Sequence, residues 1–270
     1  MIEILKYNHN MNNDWDSFVS DSFNGTIFHK RQFLSYHIDR NFDDCSLLFK
    51  KRGKIIAIIP AATIKNNNQK TFISHPGASF GGIVHQNLSF DDCRKIIELI
   101  DLFCKKNSYD NISIVQTPTI YNQCHQNEIV DYVLKINGYQ NIENYISNVL
   151  IIEDDAQNQL FKIAKNKNRT IGYYEGLVEK YNLKFKWVND FEDFYPILLK
   201  NKMKHDSKPT HSQKELGVLK SLFPDDVFQL MLYSNNNPIA GMTMFRANTK
   251  GVILFYSMFD YDYSKMQPIP

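Results

Sequence analysis

The stretch "RGKIIAIIPAATIKNNNQKTFISHPGASFGG", residues 52–82, decides how the first part of this chain is organised. Arg52-Gly53 separates two strand-like apolar runs, and this pattern predicts a hairpin with glycine where positive φ is required. A third strand, residues 70–75, leads into the glycine-dense run "SHPGASFGG", residues 74–82. Glycines permit close backbone approach, which both an anion-binding nest and an ordinary loop require. The stretch therefore predicts a three-stranded meander followed by a loop that is either an anion-binding nest or an ordinary turn.

Helical and strand-like patterns alternate around this stretch. The clearest helix covers residues 88–107, where Ser89 can cap the start and Lys105 and Lys106 suit the last turn. With a final strand ending in "NVLII", residues 148–152, the first part has the predicted order β-α-α-β-β-β-α-β-α-β.

The second part repeats the start of that order. A helical stretch over residues 156–182, broken near Asn168 or Gly172, precedes a strand at 183–188, a helix over 190–204 capped by Asp190, and a helix over 211–223. Three strands follow, so this part is β-α-α-β-β-β. Superposing the two hairpins aligns Ile56 with Ile239. Internal duplication therefore predicts two units of an α/β fold with mixed sheets, residues 1–152 and 153–270.

Composition favours an ordinary globular protein of 270 residues. The formal net charge is +2 and 43% of residues are hydrophobic, which excludes wholesale disorder and gives no reason to expect DNA as a partner. No apolar run reaches the length of a membrane span, and the N-terminus lacks a signal-peptide pattern. We expect a cytoplasmic protein. Its four scattered cysteines predict reduced core residues, and a zinc site at Cys124 and His125 is disfavoured.

Four segments carry a resemblance to a known family. They are "SHPGASFGG", "NRTIGYYEG" (168–176), "KHDSKPTHSQKELGVLKSLFP" (204–224) and "PIAGMTMFRANTKGVILFYSMFDYDYSKMQPIP" (238–270). Together with the element order they resemble the GNAT acyltransferase fold used twice, as in FemAB-like (BioF2-like) acetyltransferase domains. The resemblance implies a further helix and strand after Phe259, so we expect the second unit to be incomplete.

The resemblance also implies where an activated donor binds. In GNAT proteins a splayed strand presents backbone N–H groups to the acyl carbonyl, and the next helix N-terminus receives the pyrophosphate of the donor. "SHPGASFGG" and "FDYDYSKMQPIP" (259–270) take this place in the two units. Neither matches the family's Q/R-x-x-G-x-G/A loop, which leaves acyl-CoA, such as acetyl-CoA, and aminoacyl-tRNA both open as donors.

Acyl transfer to an amine needs a base and often an acid. His75 beside the glycine run, His205 and His211 around "DSKPT", and the phenol of Tyr256 are the catalytic candidates. The competing interpretations are a loop-capping histidine at His75, a helix cap near His211, and a solvated strand end near Tyr256.

Other candidates are assigned to the two substrates. We expect the donor at Tyr261, Tyr263, Ser264 and Lys265, and the acceptor at Gly77, Ser79, Asp206 and Lys208, although Asp206 and Lys208 equally suit an exposed turn. A basic cluster suits a charged tRNA, with a solvated helix face as the alternative; its members are Lys162, Lys165, Lys167 and Arg169.

No G-x-S-x-G, HExxH, Walker or G-x-G-x-x-G motif is present in the sequence. Their absence disfavours hydrolase, zinc protease and nucleotide-hydrolysing classes. The resemblance implies, as the leading hypothesis, an N-acyltransferase acting on an amine of a cell-envelope or polysaccharide precursor, a glycan, a peptide or another small molecule, without a metal. The alternatives are an aminoacyl-tRNA-dependent peptidoglycan peptide ligase of FemAB type and a non-catalytic binding or assembly protein. A homodimer is a candidate assembly.

Overall fold

The computed structural model describes residues 1–123, 128–166 and 170–269. Two compact units are present: residues 1–140 with 221–226 and 245–253, and residues 141–220 with 227–244 and 254–270. The sequence predicts the boundary between the two units after residue 152.

The first part of the chain begins with a strand and two helices and continues through a strand-rich region. Its elements are β1 (Ile2–Lys6), α1 (Asn12–Asp21), α2 (Arg31–Ser35), β2 (Asp43–Asp44), β3 (Leu47–Lys51), β4 (Lys54–Ile59), β5 (Ala62–Asn66), β6 (Gln69–Ser74), β7 (Val84–His85), α3 (Phe90–Lys106), β8 (Asn111–Ile114) and α4 (Ile129–Ile136).

The strands of this part form two sheets, ordered β1-β3-β4-β7 and β2-β5-β6-β8. All neighbours are antiparallel except β6 and β8, which are parallel. A parallel pair requires a crossover connection, and α3 supplies it. The apolar side of α3, with Ile96, Ile97 and Ile100, packs on strand residues that include Leu47 and Phe49. This packing is the main core of the first unit.

The second part of the chain has two helices and then one continuous sheet. Its elements are α5 (Ala156–Asn166), α6 (Ile171–Lys180), β9 (Leu183–Val188), α7 (Phe194–Met203), α8 (Gln213–Leu222), β10 (Val227–Ser234), β11 (Asn237–Arg246) and β12 (Val252–Phe259). The sheet order is β12-β11-β10-β9. From β9 onward the order β-α-α-β-β-β is as predicted, and β9-β10-β11 lie side by side as β1-β3-β4 do. The chain has a mixed α/β fold with two related sheets.

Three predicted elements differ in the structure. The strand expected over residues 54–64 is divided into β4 and β5 at Pro60-Ala61, because Pro60 has no N–H and the Ala61 N–H donates to Ser46 Oγ (3.0 Å) instead of a neighbouring strand. Helix α7 begins at Phe194 after Asp193, and Asp190 instead accepts a bond from the Glu192 N–H (3.2 Å). The predicted strand ending in residues 148–152 is wrong, because those residues have no regular secondary structure.

Four short 3₁₀ helices complete the described structure, at His9–Met11, Ile27–His29, Thr119–Tyr121 and Tyr261–Met266. Cys45, Cys93 and Cys104 are buried, as expected of core residues; Cys124 lies outside the described residues. Within the described ranges, no helix combines the length and apolar character needed to span a bilayer.

Candidate active site

A cleft of about 310 Å³ lies in the second unit, between the end of α7 and the end of β12. Both the α7–α8 loop and the last strand contribute to it, so it forms where two segments singled out from the sequence meet. Its lining residues are Asn201, Lys202, His205, Ser207, Ser257, Met258, Phe259 and Tyr261.

Asn201 fixes the wall that α7 provides. Its side chain is buried, and Nδ2 donates to Ile197 O (2.9 Å) one helical turn back and to Phe259 O (2.7 Å) at the end of β12. A buried amide bonded to two carbonyls has its donors satisfied, and this holds the helix and the strand end together. Asn201 therefore sets the width of the cleft.

The end of β12 presents backbone groups at its open side. Asp260 N donates to Ile239 O (2.8 Å) in β11, whereas Phe259 O bonds to Asn201. Backbone groups of successive residues in an antiparallel strand point alternately to opposite sides. The N–H groups of Phe259 and Ser257 consequently face away from β11, on the side where both residues line the cleft. Such donors suit a carbonyl oxygen that gains negative charge.

The loop from α7 to α8 presents His205 to the cleft. Ser207 stabilises the turn, because its N–H and its hydroxyl both donate to Lys202 O at 3.0 and 3.1 Å. Asp206 has a left-handed backbone, with φ of 49°. The His205 side chain is exposed and lines the cleft, while Asp206 and Lys208 are exposed in the same loop. Of these three residues, only His205 lines the cleft.

His211 and Tyr256 lie together but inside the protein. His211 Nδ1 and the Tyr256 hydroxyl are 2.9 Å apart, and both residues are 3% exposed. Burial raises the pKa of Tyr256, and bonds with Thr210 and His211 partly offset that effect. The phenol remains protonated at neutral pH. The pair braces the start of the α8 region against β12 without lining the cleft.

The segment after β12 turns back as a short 3₁₀ helix. Lys200 Nζ contacts Asp260 Oδ1 (2.6 Å) and Asp262 Oδ2 (2.7 Å), and these hydrogen bonds raise the pKa of Lys200 to about 12. Lys204 Nζ lies 3.5 Å from the centre of the Tyr261 ring. Two lysines from the end of α7 thereby hold Tyr261 at the cleft.

The other three predicted donor residues have different surroundings. Tyr263 packs against a core cluster that includes Leu183 and Leu232, while Ser264 and Lys265 are exposed. Only Tyr261 of the four predicted donor residues lines the cleft.

In the first unit, histidines hold the glycine-dense run by its backbone. Gly77 N donates to Nδ1 of His75 (3.1 Å), and Gly77 O lies 2.9 Å from Nε2 of His37. His75 is buried, and burial lowers its pKa to about 4. A Cβ at Gly77 would lie 2.4 Å from His37 Nε2, so this position needs glycine for space. Ser79 is exposed in the same loop. This geometry favours the loop-capping interpretation of His75.

A second histidine anchor involves His29, which sequence reasoning missed. Its Nδ1 accepts from Thr26 N (3.0 Å), so Nε2 carries the proton and donates to Gly81 O (2.6 Å). Thr117 Oγ1 donates to the same carbonyl at 3.2 Å. Burial lowers the pKa of His29 to about 4. The short pattern Thr26-x-x-His29 is that of a capping box.

These anchors determine where the glycine run lies. Gly81 N donates to Val115 O (3.0 Å), just after β8, and an added Cβ at Gly81 would be 2.8 Å from His75 N. Gly82 has φ of 73° and adjoins Gln116, whose Oε1 accepts from Ile83 N (3.1 Å). The run therefore fills the space beyond the parallel ends of β6 and β8.

Metal chemistry has no candidate ligand cluster in the described ranges: no three His, Cys, Asp or Glu side chains there are grouped to hold an ion. Cys124 and His125, which the sequence analysis disfavours as a zinc site, lie outside those ranges. So do Lys167 and Arg169, whereas Lys162 forms an exposed pair with Glu153 (3.0 Å) and Lys165 is exposed.

No sequence pattern indicates Asn201 or Lys202 as site residues. Both occur in a helix with no motif, and their relevance comes from the strand end that folding brings opposite. Ser257, Met258 and Phe259 were predicted as strand residues only.

Comparison with solved structures identifies the fold. A crystal structure of FemX matches with a TM-score of 0.64 and 10% identity, over 98% of this chain and 82% of the other. A ribosomal-protein-alanine N-acetyltransferase from Brucella melitensis biovar Abortus 2308 has 9% identity and a TM-score of 0.36, over 56% of this chain and 99% of the other.

An aminoglycoside 6'-N-acetyltransferase from Acinetobacter haemolyticus has 13% identity and a TM-score of 0.33, over 56% of this chain and 99% of the other. No protein-family model matches the sequence, and no curated protein matches it either. The match to FemX over nearly the whole chain shows that the chain has a FemX-like fold.

Proposed function

We propose that the protein is an N-acyltransferase, which moves an acyl or aminoacyl group from an activated donor to an amine of a cell-envelope or polysaccharide precursor. The observation that carries this proposal is the cleft at the end of β12, in a chain whose whole length follows the FemX fold. In GNAT proteins the donor binds at the end of the strand that corresponds to β12. The resemblance therefore assigns the donor of this chain to the end of β12.

The cleft has the groups that direct acyl transfer requires. The amine nitrogen attacks the carbonyl carbon of the donor, a C–N bond forms, and the C–S bond of a thioester or the C–O bond of an ester breaks. His205 is accessible at the cleft wall and accepts the proton that the amine loses. The outward N–H groups of Ser257 and Phe259 donate to the carbonyl oxygen as it becomes negative.

Tyr261 is the proposed donor contact and proton source for the leaving group. Its side chain lines the cleft, and the Lys204 ammonium lies over its ring. The departing thiolate or ribose oxygen takes the phenolic proton. Tyr256 and His211 act as positioning residues, because they support β12 from inside the protein.

The first unit is proposed to hold no donor. Residues 80–83 fill the space beyond β6 and β8, and the backbone of the run is bonded to His29, His37, His75 and Thr117. Gly77 and Ser79 remain candidates for acceptor contact, as do Asp206 and Lys208 in the second unit.

A direct test measures donor binding and transfer separately. The purified protein is titrated with acetyl-CoA and with aminoacyl-tRNA, and labelled acyl transfer to amino-sugar and peptide acceptors is followed. We expect saturable binding of one donor. His205→Gln should reduce transfer by about 100-fold. His9→Gln changes an exposed histidine of the first unit and, as the control, should leave transfer unchanged. Absence of binding to both donors would favour the non-catalytic binding protein instead.

A further inference from the structure

The segment "NYISNVLII", residues 144–152, is uncharged and exposed. It contains no proline, glycine or charged residue, and it has no regular secondary structure. Six of its nine residues are large apolar ones, and their exposed fractions range from 57% at Val149 to 99% at Ile146. Monomeric proteins rarely expose a contiguous apolar stretch of this kind without a use for it.

The backbone of the segment is unpaired as well. Among the described residues, no backbone–backbone hydrogen bond involves residues 144–152; Gln159 Nε2 donates to Ile151 O from the side. Tyrosine, valine and isoleucine favour strands, and a strand edge with free N–H and C=O groups pairs readily with another. The segment thus has the composition of a β-strand, but among the described residues no neighbouring strand is hydrogen-bonded to it.

We propose that this segment pairs antiparallel with the same segment of a second copy of the chain, and so forms a symmetric dimer. A two-fold axis at Asn148 places Ile146 opposite Leu150 and Tyr145 opposite Ile151. Four of the six large apolar side chains then face another large apolar side chain, while Val149 faces Ser147, Ile152 faces Asn144, and Asn148 faces its own copy. Apolar and aromatic cross-strand pairs of this type stabilise antiparallel sheets.

The alternation of side chains along the segment explains why pairing with a second copy of the segment is favoured over pairing with a charged partner. Tyr145, Val149 and Ile151 point to one side of the strand, and Ile146, Leu150 and Ile152 point to the other. Both sides are apolar, as in strands that are buried on both faces. An uncharged strand offers no ion pair to a charged partner, whereas it is complementary to itself and closes with one partner.

The contact area is that of a weak dimer. At roughly 100 Å² of apolar surface for each large side chain, the six side chains of both copies present on the order of 1,200 Å², and the strand pair covers only part of it, because both faces of the two strands stay open to water. The buried area is therefore smaller than in stable protein–protein interfaces. We therefore expect a dimer that dissociates on dilution.

The mass of the whole protein in solution tests the proposal. Light scattering coupled to size exclusion should give a dimer at micromolar concentration that dissociates on dilution, and a monomer for the double variant Ile146→Lys, Leu150→Lys. The matched control is Leu102→Lys, an exposed leucine on α3, which should leave the dimer intact. A monomeric wild type, or a dimer that persists in the double variant, overturns the proposal; circular dichroism confirms that each variant is folded.

A cysteine cross-link tests the pairing register. In a Cys124→Ser background, Asn148→Cys places two thiols across the axis at a Cα separation of about 5 Å, which a disulfide spans. Asn144→Cys places them about 27 Å apart. Oxidation should link the first variant and leave the second unlinked. Equal linking of both, or of neither, overturns the register and with it the symmetric strand pair.

Discussion

His211 and Tyr256 share a buried hydrogen bond of 2.9 Å between Nδ1 and the phenolic oxygen. The bond joins the loop that carries His205 to the strand whose end lines the cleft. Because both partners are shielded from water, the bond holds one geometry and cannot be exchanged for solvent.

Removing the phenol of Tyr256 should loosen this support. Tyr256→Phe deletes the hydrogen bonds that the phenol shares with His211 and Thr210, so we expect a loss of about 1–2 kcal/mol in the free energy of unfolding. Urea denaturation measures the loss. Tyr263→Phe is the control, since Tyr263 contributes its ring to a core cluster; an equal loss in both variants would show that these hydrogen bonds are not responsible. In the transfer assay, Tyr256→Phe should lower kcat more than it changes KM.

Asn201→Leu should cost more, because Phe259 O would lose its buried partner. We expect destabilisation of about 1–3 kcal/mol and weaker donor binding. Asn137 offers a matched comparison: its Nδ2 also donates to the carbonyl four residues back (2.8 Å). Asn137→Leu should leave donor binding unchanged. Unaltered donor affinity in Asn201→Leu would contradict the role given to this residue in shaping the cleft.

The ion pairs of Lys200 should matter for local order rather than for global stability. Lys200 is exposed, so Lys200→Met should change overall stability little, while hydrogen exchange at residues 260–266 should become faster. Lys214→Met, on the exposed side of α8, serves as the reference. If exchange at 260–266 is the same in both variants, Asp260 and Asp262 do not depend on Lys200.

Two glycines should respond to alanine with opposite signs. Gly77→Ala would bring a Cβ within 2.4 Å of His37 Nε2, and overpacking of this kind costs about 1–3 kcal/mol. Gly217 lies inside α8 with nothing within 4 Å of an added Cβ, so Gly217→Ala should stabilise by about 0.5–1 kcal/mol. Thermal denaturation compares the two; a neutral Gly77→Ala would show that the loop moves to accept the methyl group.

Stability should fall as the solution becomes acidic. His29 and His75 are buried as neutral rings with pKa values lowered to about 4, against 6.5 for an unperturbed histidine. The unfolded chain therefore binds more protons below pH 6.5, and folded stability present above that pH is lost as pH falls toward 4. Each ring contributes about 3 kcal/mol to this change. Unfolding free energies at pH 7 and 4.5 measure it, and the pH dependence of His75→Asn should be shallower than that of wild type.

Local patterns were sufficient for most elements. Apolar periodicity, Ser89 at the start of α3 and the asparagine-rich turns located the helices and the meander strands, since these features act over a few residues. The failed strand at residues 148–152 has the composition of a strand. A strand also needs a partner, and the sequence does not say whether one is present.

Candidate site residues were predictable only in part. His205 and Tyr261 were found because histidines and tyrosines near a strand end are chemically capable. Asn201 and Lys202 lack such a signal, and their position at the cleft results from packing between α7 and β12.

The sequence by itself determined the order of the elements and the repeat, because hydrophobic periodicity and turn residues are local properties of the chain. It also determined that the run "SHPGASFGG" would be a glycine-rich loop. Only the tertiary structure decided what that loop does: Gly77 and Gly81 are bonded to histidines far away in the chain, at His37 and His29. Long-range hydrogen bonds and close packing make this decision, and they depend on which segments folding brings together.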